Sequence, residues 1–510
     1  MKRIIYIFVV LVILSASSIY SQIQTDIEWP TLAISDWPMI KHDPQFTGRS
    51  PYKGPQTPTI VWTKDLNDGI FSGPVIGEEG NLYFGSYYQL DSADHFYSYT
   101  SDGNFRWDYK LGSNRPPQSG ILIDSSNTIY FGSLDQYFYA LNSDGTLKWR
   151  VETGYITEIL ISNIDLQGNL YITNNPEGEL LSISPEGTIN WRVKYEDGFL
   201  EKSPVFSPDG KTIYIAGRDS NLFAINIDGS LKWKFSCGRI RKAPVVDNQG
   251  NLYFLPNEVP QYFYSLNFSG DINWKNLIQN LGPFVSYSIP TIDFDSNIYL
   301  LAVDTLVIPN RSLLSFDYSG NLRWSYNFDE PSDDFWQPLI CDSEGTVYVG
   351  STFGYYYYAI SSDGQLKWKL PLNDYQVDNT GTIAKDGTLY LGVHKSSIWN
   401  GAEKNLIAIR DTITTSVNDE TLINNYKLEQ NYPNPFNPTT TINYSLKESG
   451  FVQLKVYDVL GKEIATLLNE EKRQGSYSVK FNGNNLPSGI YFYTLRVNNF
   501  VQNRKMVLLR

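Results

Sequence analysis

The chain is poor in residues placed to do covalent chemistry. Its three histidines, His42, His95 and His394, are scattered, and none lies in a G-x-S-x-G context that would raise a nucleophilic serine on a tight turn. The two cysteines, Cys237 and Cys341, are far apart. They form neither a C-x-x-C zinc pair nor a disulfide framework. No Walker loop occurs. Asp124, Asp165, Asp247, Asp293 and Asp342 recur at equivalent places and read as turn residues, spread too widely to converge on one cation. No catalytic, cofactor-binding or metal-ligating set is therefore assigned. A carboxylate-based glycosidase stays open, because its two acids need no local spacing.

Recognition chemistry is better represented. Aromatic residues stand in segments joining predicted strands: "YYQLDSADH" (87–95), "VDTLVIPNRS" (303–312), "FDEPSDDFWQP" (328–338), "TFGYYYY" (352–358) and "VHKSSIWNGAEKN" (393–405). Tyr87, Tyr88, His95, Trp336, Tyr355, Tyr356, His394 and Trp399 are the candidate ligand-binding residues, with Asp333 and Asp334 nearby. Aromatic faces stack on the apolar faces of sugar rings, and carboxylates accept hydrogen bonds from hydroxyls. The plainer alternative is that these segments merely vary in length and the aromatics pack within the fold.

The elements that must position these residues repeat. The phrase "SDGTLKW" before Trp149 returns as "SDGNFRW" before Trp107, "IDGSLKW" before Trp233 and "SDGQLKW" before Trp368, with looser copies before Trp191, Trp274 and Trp324. A second marker, a Tyr within a β-rich pentad, occurs eight times, from "NLYFG" at Tyr83 to "TLYLG" at Tyr390. A period of 40–50 residues is that of a solenoid or propeller. Each unit shows four strand candidates; in the second they are "SGILID", "TIYFGS", "YFYALN" and "TLKWRVE". The eighth unit lacks a Trp strand, while "PTIVWTKDL" around Trp62 has no unit before it. Joining the two completes an eight-bladed β-propeller over residues 59–411 and removes an open sheet edge. The long segments then fall on units six, seven, eight and one.

These residues resemble the PQQ-like β-propeller repeat of quinoprotein dehydrogenases, and "DWPMIKHDPQFTGRSPY" (36–52) is similar to the lead-in that precedes such propellers. The resemblance implies that the tryptophans pack between neighbouring blades: Trp107, Trp149, Trp191, Trp233, Trp274, Trp324 and Trp368, with Trp62 at the closure. A quinone-dependent enzyme of that class would need an adjacent Cys–Cys pair, and this chain has none. No cofactor is expected.

The N-terminus "MKRIIYIFVVLVILSASSIYSQ" reads as a signal peptide over residues 1–21, with a basic start, an apolar stretch Ile4–Leu14 and cleavage between Ser21 and Gln22. Residues 22–58 form the lead-in. No other segment is apolar enough to cross a membrane. The net charge of −13 and the lack of a dense Lys/Arg run argue against a nucleic-acid partner. Beyond Asp411 a polar linker (412–425) leads to clean alternation at Val452, Leu454 and Val456, and at Tyr491, Tyr493, Leu495 and Val497, the pattern of a small Ig-like β-sandwich. The segment 426–510, with "NYPNPFNPTT", "VYDVLGKEIATL", "LPSGIYFYTL" and "RKMVLLR", resembles the type A C-terminal sorting domain of the type IX secretion system. That resemblance implies a partner in the secretion machinery and export through the periplasm and outer membrane, to the cell surface or beyond.

The reading that follows is an all-β, exported, non-enzymatic binding or scaffold propeller, its partner a glycan or surface protein. The competing reading is an extracellular hydrolase or lyase that acts on polysaccharide through carboxylates on the propeller face.

Overall fold

A computed structural model of the chain describes residues 23–510 apart from 67–68, 71–72, 88–94, 112–119, 155–160, 175–176, 196–199, 201, 218–219, 259, 279–288, 305–309, 330–337, 353, 378, 396–403, 412–425, 429, 432, 448–449, 473–474, 485, 499 and 510. The signal stretch, its cleavage point and the linker lie outside the described residues. The chain divides into two compact bodies, Met1–Thr412 and Ile413–Arg510.

Among the described residues, the first body holds eight antiparallel sheets of four or five strands and one two-stranded pair. The second sheet runs Leu122–Ile123, Ile129–Gly132, Tyr137–Leu141 and Leu147–Glu152, in that spatial order. Its second strand is buried along its whole length, as befits a strand covered on both faces, whereas the fourth alternates between exposed and half-buried. The first strand is far shorter than "SGILID" suggests. Only two of its residues pair within the sheet, because its other edge bonds to the lead-in: the Ile123 N–H donates to Pro38 O at 2.9 Å.

Packing between sheets explains the repeated phrase. The Gly of each Asp-Gly turn has positive φ, 86° at Gly145, which a tight turn requires. It also receives the preceding unit's tryptophan: a Cβ on Gly145 would lie 2.6 Å from Trp107 Cδ2. The same close approach joins Gly187 to Trp149, Gly270 to Trp233, Gly320 to Trp274 and Gly364 to Trp324. The indole N–H then donates to a carbonyl in the same turn, Trp107 to Ser143 O at 3.0 Å and Trp149 to Pro185 O at 2.8 Å. The residue before each Trp reaches back within its own sheet, as Lys148 Nζ does to Thr128 Oγ1 at 3.0 Å.

The recurrent aspartates do two jobs. Asp165 Oδ1 accepts the N–H groups of Gln167 and Asn169, closing the turn, and Oδ2 accepts the buried Tyr171 hydroxyl at 2.9 Å. Asp124–Tyr130, Asp247–Tyr253, Asp293–Tyr299 and Asp342–Tyr348 repeat this bond. The Asp and Tyr signals of the sequence are therefore one motif.

Strand Pro58–Asp65 pairs antiparallel with Lys404–Asp411 and completes the eighth sheet. Trp62 lies 5.9 Å from the Tyr390 ring, and a Cβ on Gly103 of the first unit would come within 3.2 Å of it.

The second body has two sheets. One joins Lys427–Leu428, Thr439–Leu446 and Gly475–Asn482; the other is ordered Glu463–Lys472, Gly450–Tyr457, Gly489–Val497 and Phe500–Leu508. Val452, Leu454, Val456, Tyr491, Tyr493, Leu495 and Val497 are buried, in step with their alternation. The "NPF" segment is tied to the last strand: the Phe436 N–H donates to Val507 O at 2.9 Å, and the Val507 N–H to Asn434 Oδ1 at 2.8 Å.

Candidate functional site

Tyr88, Trp336 and Trp399, with Asp333 and Asp334, lie outside the described residues. For Tyr87 the backbone is described, paired with Gly69 at the end of strand Leu82–Tyr87. The other four candidates occupy units one, seven and eight. His394 stands in strand Leu389–Lys395, opposite Gln376 and Lys404, so it belongs to a strand and not to the loop that the sequence suggests. Tyr355 adopts φ 60° and its carbonyl accepts the Leu372 N–H.

Tyr356 opens the third strand of its unit, with Lys369 Nζ 3.9 Å from the ring centroid. The arrangement recurs at Tyr137 beneath Arg150 (4.6 Å) and Tyr262 beneath Lys275 (3.9 Å). His95 takes this position in unit one, where Asp108 faces Nδ1 at 2.5 Å and the ring stacks on Tyr97. Unit three uses Glu179 and Arg192, 3.6 Å apart. Tyr356 and His95 thus share one repeated cross-strand position, where a cation or carboxylate on the fourth strand steers the ring.

The densest polar cluster is one that sequence reasoning passed over: the lead-in itself. Its backbone carbonyls reach the innermost strands in turn. Trp37 O accepts Ile76 N–H, Pro38 O accepts Ile123, Pro44 O accepts Phe206, Gln45 O accepts Val246, Thr47 O accepts Ile292, and Gly48 O accepts Cys341. Asn163 Nδ2 supplies the third unit's bond, to Pro44 O at 2.9 Å, and Asp36 takes the Lys385 N–H of the eighth at 2.7 Å. Trp37, Met39 and Phe46 are fully buried among these strands.

Charged side chains are buried with them. Lys41 Nζ donates to Pro290 O (3.0 Å), Thr291 Oγ1 (2.6 Å) and Leu339 O (2.9 Å). Burial pulls its pKa down from the ordinary lysine range to about 7. Burial pushes Asp43 upward, but the His42 ring 3.7 Å away, the nearby Arg49 charge and the hydrogen bond from Thr47 outweigh it and hold the carboxyl below its usual range. Arg49 lies over the Phe294 ring at 4.4 Å, donates to Thr25 O at 3.0 Å and faces Asp26 at 3.6 Å. Burial drives the Cys341 thiol well above its usual value, which leaves it a poor nucleophile. The signal in the sequence is the run of Lys41, His42, Asp43 and Arg49 among Trp37, Met39 and Phe46, with Gly48 just before Arg49.

A polar groove of about 560 Å³ opens where the lead-in meets the eighth sheet, lined by Tyr52, Lys53, Lys385, Asp386, Arg410 and Asp411. Its charges are largely engaged: Arg410 with Asp386 at 2.9 Å, Lys53 with Glu344 at 2.8 Å, and Asp411 with the backbone N–H of Thr57 at 2.6 Å. Among the described residues, no group of three or more His, Cys, Asp or Glu side chains is placed to hold a metal ion, and no helix is long and apolar enough to cross a membrane.

The fold is similar to that of BamB from Moraxella catarrhalis, with a TM-score of 0.50 and 14% identity over 69% of this chain and 99% of that one. Virginiamycin B lyase from Staphylococcus aureus gives a TM-score of 0.44 and 12% identity over 69% of this chain and 99% of that one. At these identities the BamB likeness is one of fold, the PQQ-like propeller type, and the weaker lyase likeness carries no argument. No curated protein matches the chain. Residues 430–509 match the family model of the secretion system C-terminal sorting domain, so the chain carries a type IX export tail and is a secreted or cell-surface protein.

Proposed function

We propose that the chain is an exported, non-enzymatic binding or scaffold protein. In this reading its first body is an eight-bladed ring, residues 59–411, closed by strand Pro58–Asp65 and followed by a small Ig-like export domain. The mature chain begins near Gln22, and residues 426–510 direct its passage across the outer membrane. One observation carries the reading: the lead-in bonds in turn to the first strand of seven units and to the turn after that strand in the eighth, so its own residues occupy the hub. A hub filled this way favours a rigid support with recognition on its loops. The face bearing the long segments of units six, seven, eight and one is the proposed contact surface, and a polysaccharide or surface protein its partner class.

The test joins a glycan array to a reducing-end assay on the glycans that bind. Saturable binding without new reducing ends is the expected result. Release of reducing ends by the purified protein would replace this reading with that of a hydrolase. Export is tested separately by deleting Tyr426–Arg510, which should leave the protein in the periplasm of a host that has the secretion system.

A further inference from the structure

The bonds that tie the lead-in to the sheets differ between units three and six. At unit three, the Asn163 amide donates twice, to Pro44 O of the lead-in at 2.9 Å and to Pro204 O of the next unit at 3.0 Å. One side chain thus serves both the hub and the neighbouring unit. The equivalent residue of unit six is Thr291, first in its strand as Asn163 is. A hydroxyl has one hydrogen, and Thr291 gives it to Leu339 O of unit seven at 2.7 Å. Nothing remains with which Thr291 can donate to the lead-in, so the side-chain donor has to come from the lead-in.

That donor is Lys41. Its ammonium bridges the seam, taking Pro290 O and Thr291 Oγ1 on one side and Leu339 O on the other. Three hydrogens meet three acceptors, which satisfies a fully buried ammonium. The lead-in is shaped around this atom. Lys41 and His42 both adopt positive φ, 67° and 72°. Gly48, at φ +65°, passes so close that a Cβ there would lie 2.6 Å from Lys41 Nζ and 2.7 Å from Leu339 O. Apolar packing covers the seam in two parts. Ile289 of unit six and Ile340 of unit seven belong to the core that contains Trp37, Met39 and Phe46, whereas Tyr299, Leu301, Leu339 and Val349 form a separate cluster between the two units, so Lys41 adds a polar tie at the edge of the lead-in's core.

We propose that Lys41 is a latch by which the lead-in holds the seam between units six and seven shut, so that loss of the hydrogen bonds from its side-chain nitrogen loosens this seam in preference to the seams of units two to four. The inference is independent of what the protein binds. The amides of Ile292 and Cys341 report on it, since each donates to the lead-in beside the latch, to Thr47 O and Gly48 O. Those of Ile123 and Phe206 make the matching bonds at units two and four, to Pro38 O and Pro44 O.

The experiment is hydrogen exchange followed by mass spectrometry on the full mature chain, wild type against Lys41→Met. Peptides that contain Ile292 and Cys341 should exchange at least about tenfold faster, a shift of about 1.4 kcal/mol in local opening. Peptides that contain Ile123 and Phe206 should keep their wild-type rates. An equal acceleration in all four regions, or none at the seam, would overturn the proposal. Thr291→Val removes only the hydroxyl and should accelerate the same two seam peptides by a smaller factor. If Lys41→Met does not fold, Lys41→Gln, which brings two hydrogens to three acceptors and leaves the Thr291–Leu339 bond in place, decides instead: seam-selective acceleration supports the latch, and uniform or absent acceleration refutes it.

Discussion

The rim and the hub of the first body are built on different principles. At the rim, the fourth strands of all units but the seventh repeat one solution: a half-buried Trp set on the next unit's glycine, a side chain before it reaching back into its own sheet, and alternate residues in solvent. At the hub, the sheets repeat but their partner does not: one equivalent backbone N–H in six of the units donates to the lead-in. A single non-repeating segment meets the units one after another, with a different residue at each: a backbone carbonyl here, Lys41 or Asp36 there. The rim is held by many equal, modest contacts, the hub by a few unequal ones. A change at the hub should therefore cost more, and cost it locally, than the corresponding change at the rim.

The sharpest test of that contrast is Trp37→Ala. Trp37 is fully buried against His42 at a ring distance of 4.9 Å, and its loss should cost about 3–5 kcal/mol in chemical denaturation. Trp149→Ala, at the half-exposed rim, should cost roughly 2 kcal/mol by the area it buries. Equal losses at the two sites would erase the distinction. Within the rim, Trp62→Ala should match Trp149→Ala to within about 1 kcal/mol, because both indoles stand over a turn glycine, Gly103 and Gly187. A negligible cost at Trp62 would mean that the joint between the first and last strands is not an ordinary rim contact.

A smaller effect concerns pH. Lys41 has a folded pKa of about 7 against an unfolded value of 10.5. Between these values the unfolded chain holds the proton that the folded chain has released, so this group adds stability as pH rises. Wild type should gain on Lys41→Met by at most about 1.4 kcal/mol per pH unit from pH 7 toward pH 10. Cys341, Asp43, Arg49 and Asp293 pack around this region; Cys341 and Asp43 couple to the Lys41 charge, but burial holds the thiol well above its usual value and Asp43 stays below the carboxylate range, so neither changes protonation between pH 7 and the usual thiol range, where the difference reports Lys41. A flat difference across that range would place the lysine's charge outside the buried hub. The smallest expected change is Lys369→Ala, which removes the cation over Tyr356 at a cost of about 0.5–1 kcal/mol. A loss of several kcal/mol there would make the rim as specialised as the hub.

The same contrast separates what was legible in the sequence from what was not. The rim announces itself, because seven copies of one phrase can be aligned against each other. Trp, Gly and the residue before Trp then each find a partner at a fixed offset. The pairing of Pro58–Asp65 with Lys404–Asp411 was likewise visible, as an unmatched strand at each end. The first strands were overextended, because their outer edges bond to a segment whose route no periodicity encodes. Lys41 and Arg49 stand in a lead-in that carries no copy of the repeat. Their burial depends on carbonyls about 250–300 positions away, such as Pro290 O and Leu339 O, which no local pattern reveals. Of the proposed contact residues, His394 read as a loop residue because no turn signal marks the end of its strand, which runs on to Lys395. Tyr356 and His95 were separable from the other repeats only by composition, yet they share a position with Tyr137 and Tyr262.

One joint carries a consequence in time. The indole N–H of Trp368 donates to Pro55 O across 313 residues, and the Gln56 N–H reaches Asp411 across 355. Residues 55–56 therefore wait for residues 368 and 411 before either finds its place. Contacts of such separation are slow to form, and until they do the chain presents unpaired strand edges to its surroundings. For an exported protein, the interval between arrival of the lead-in and arrival of Asp411 is the period of greatest exposure to proteases and to other copies of itself.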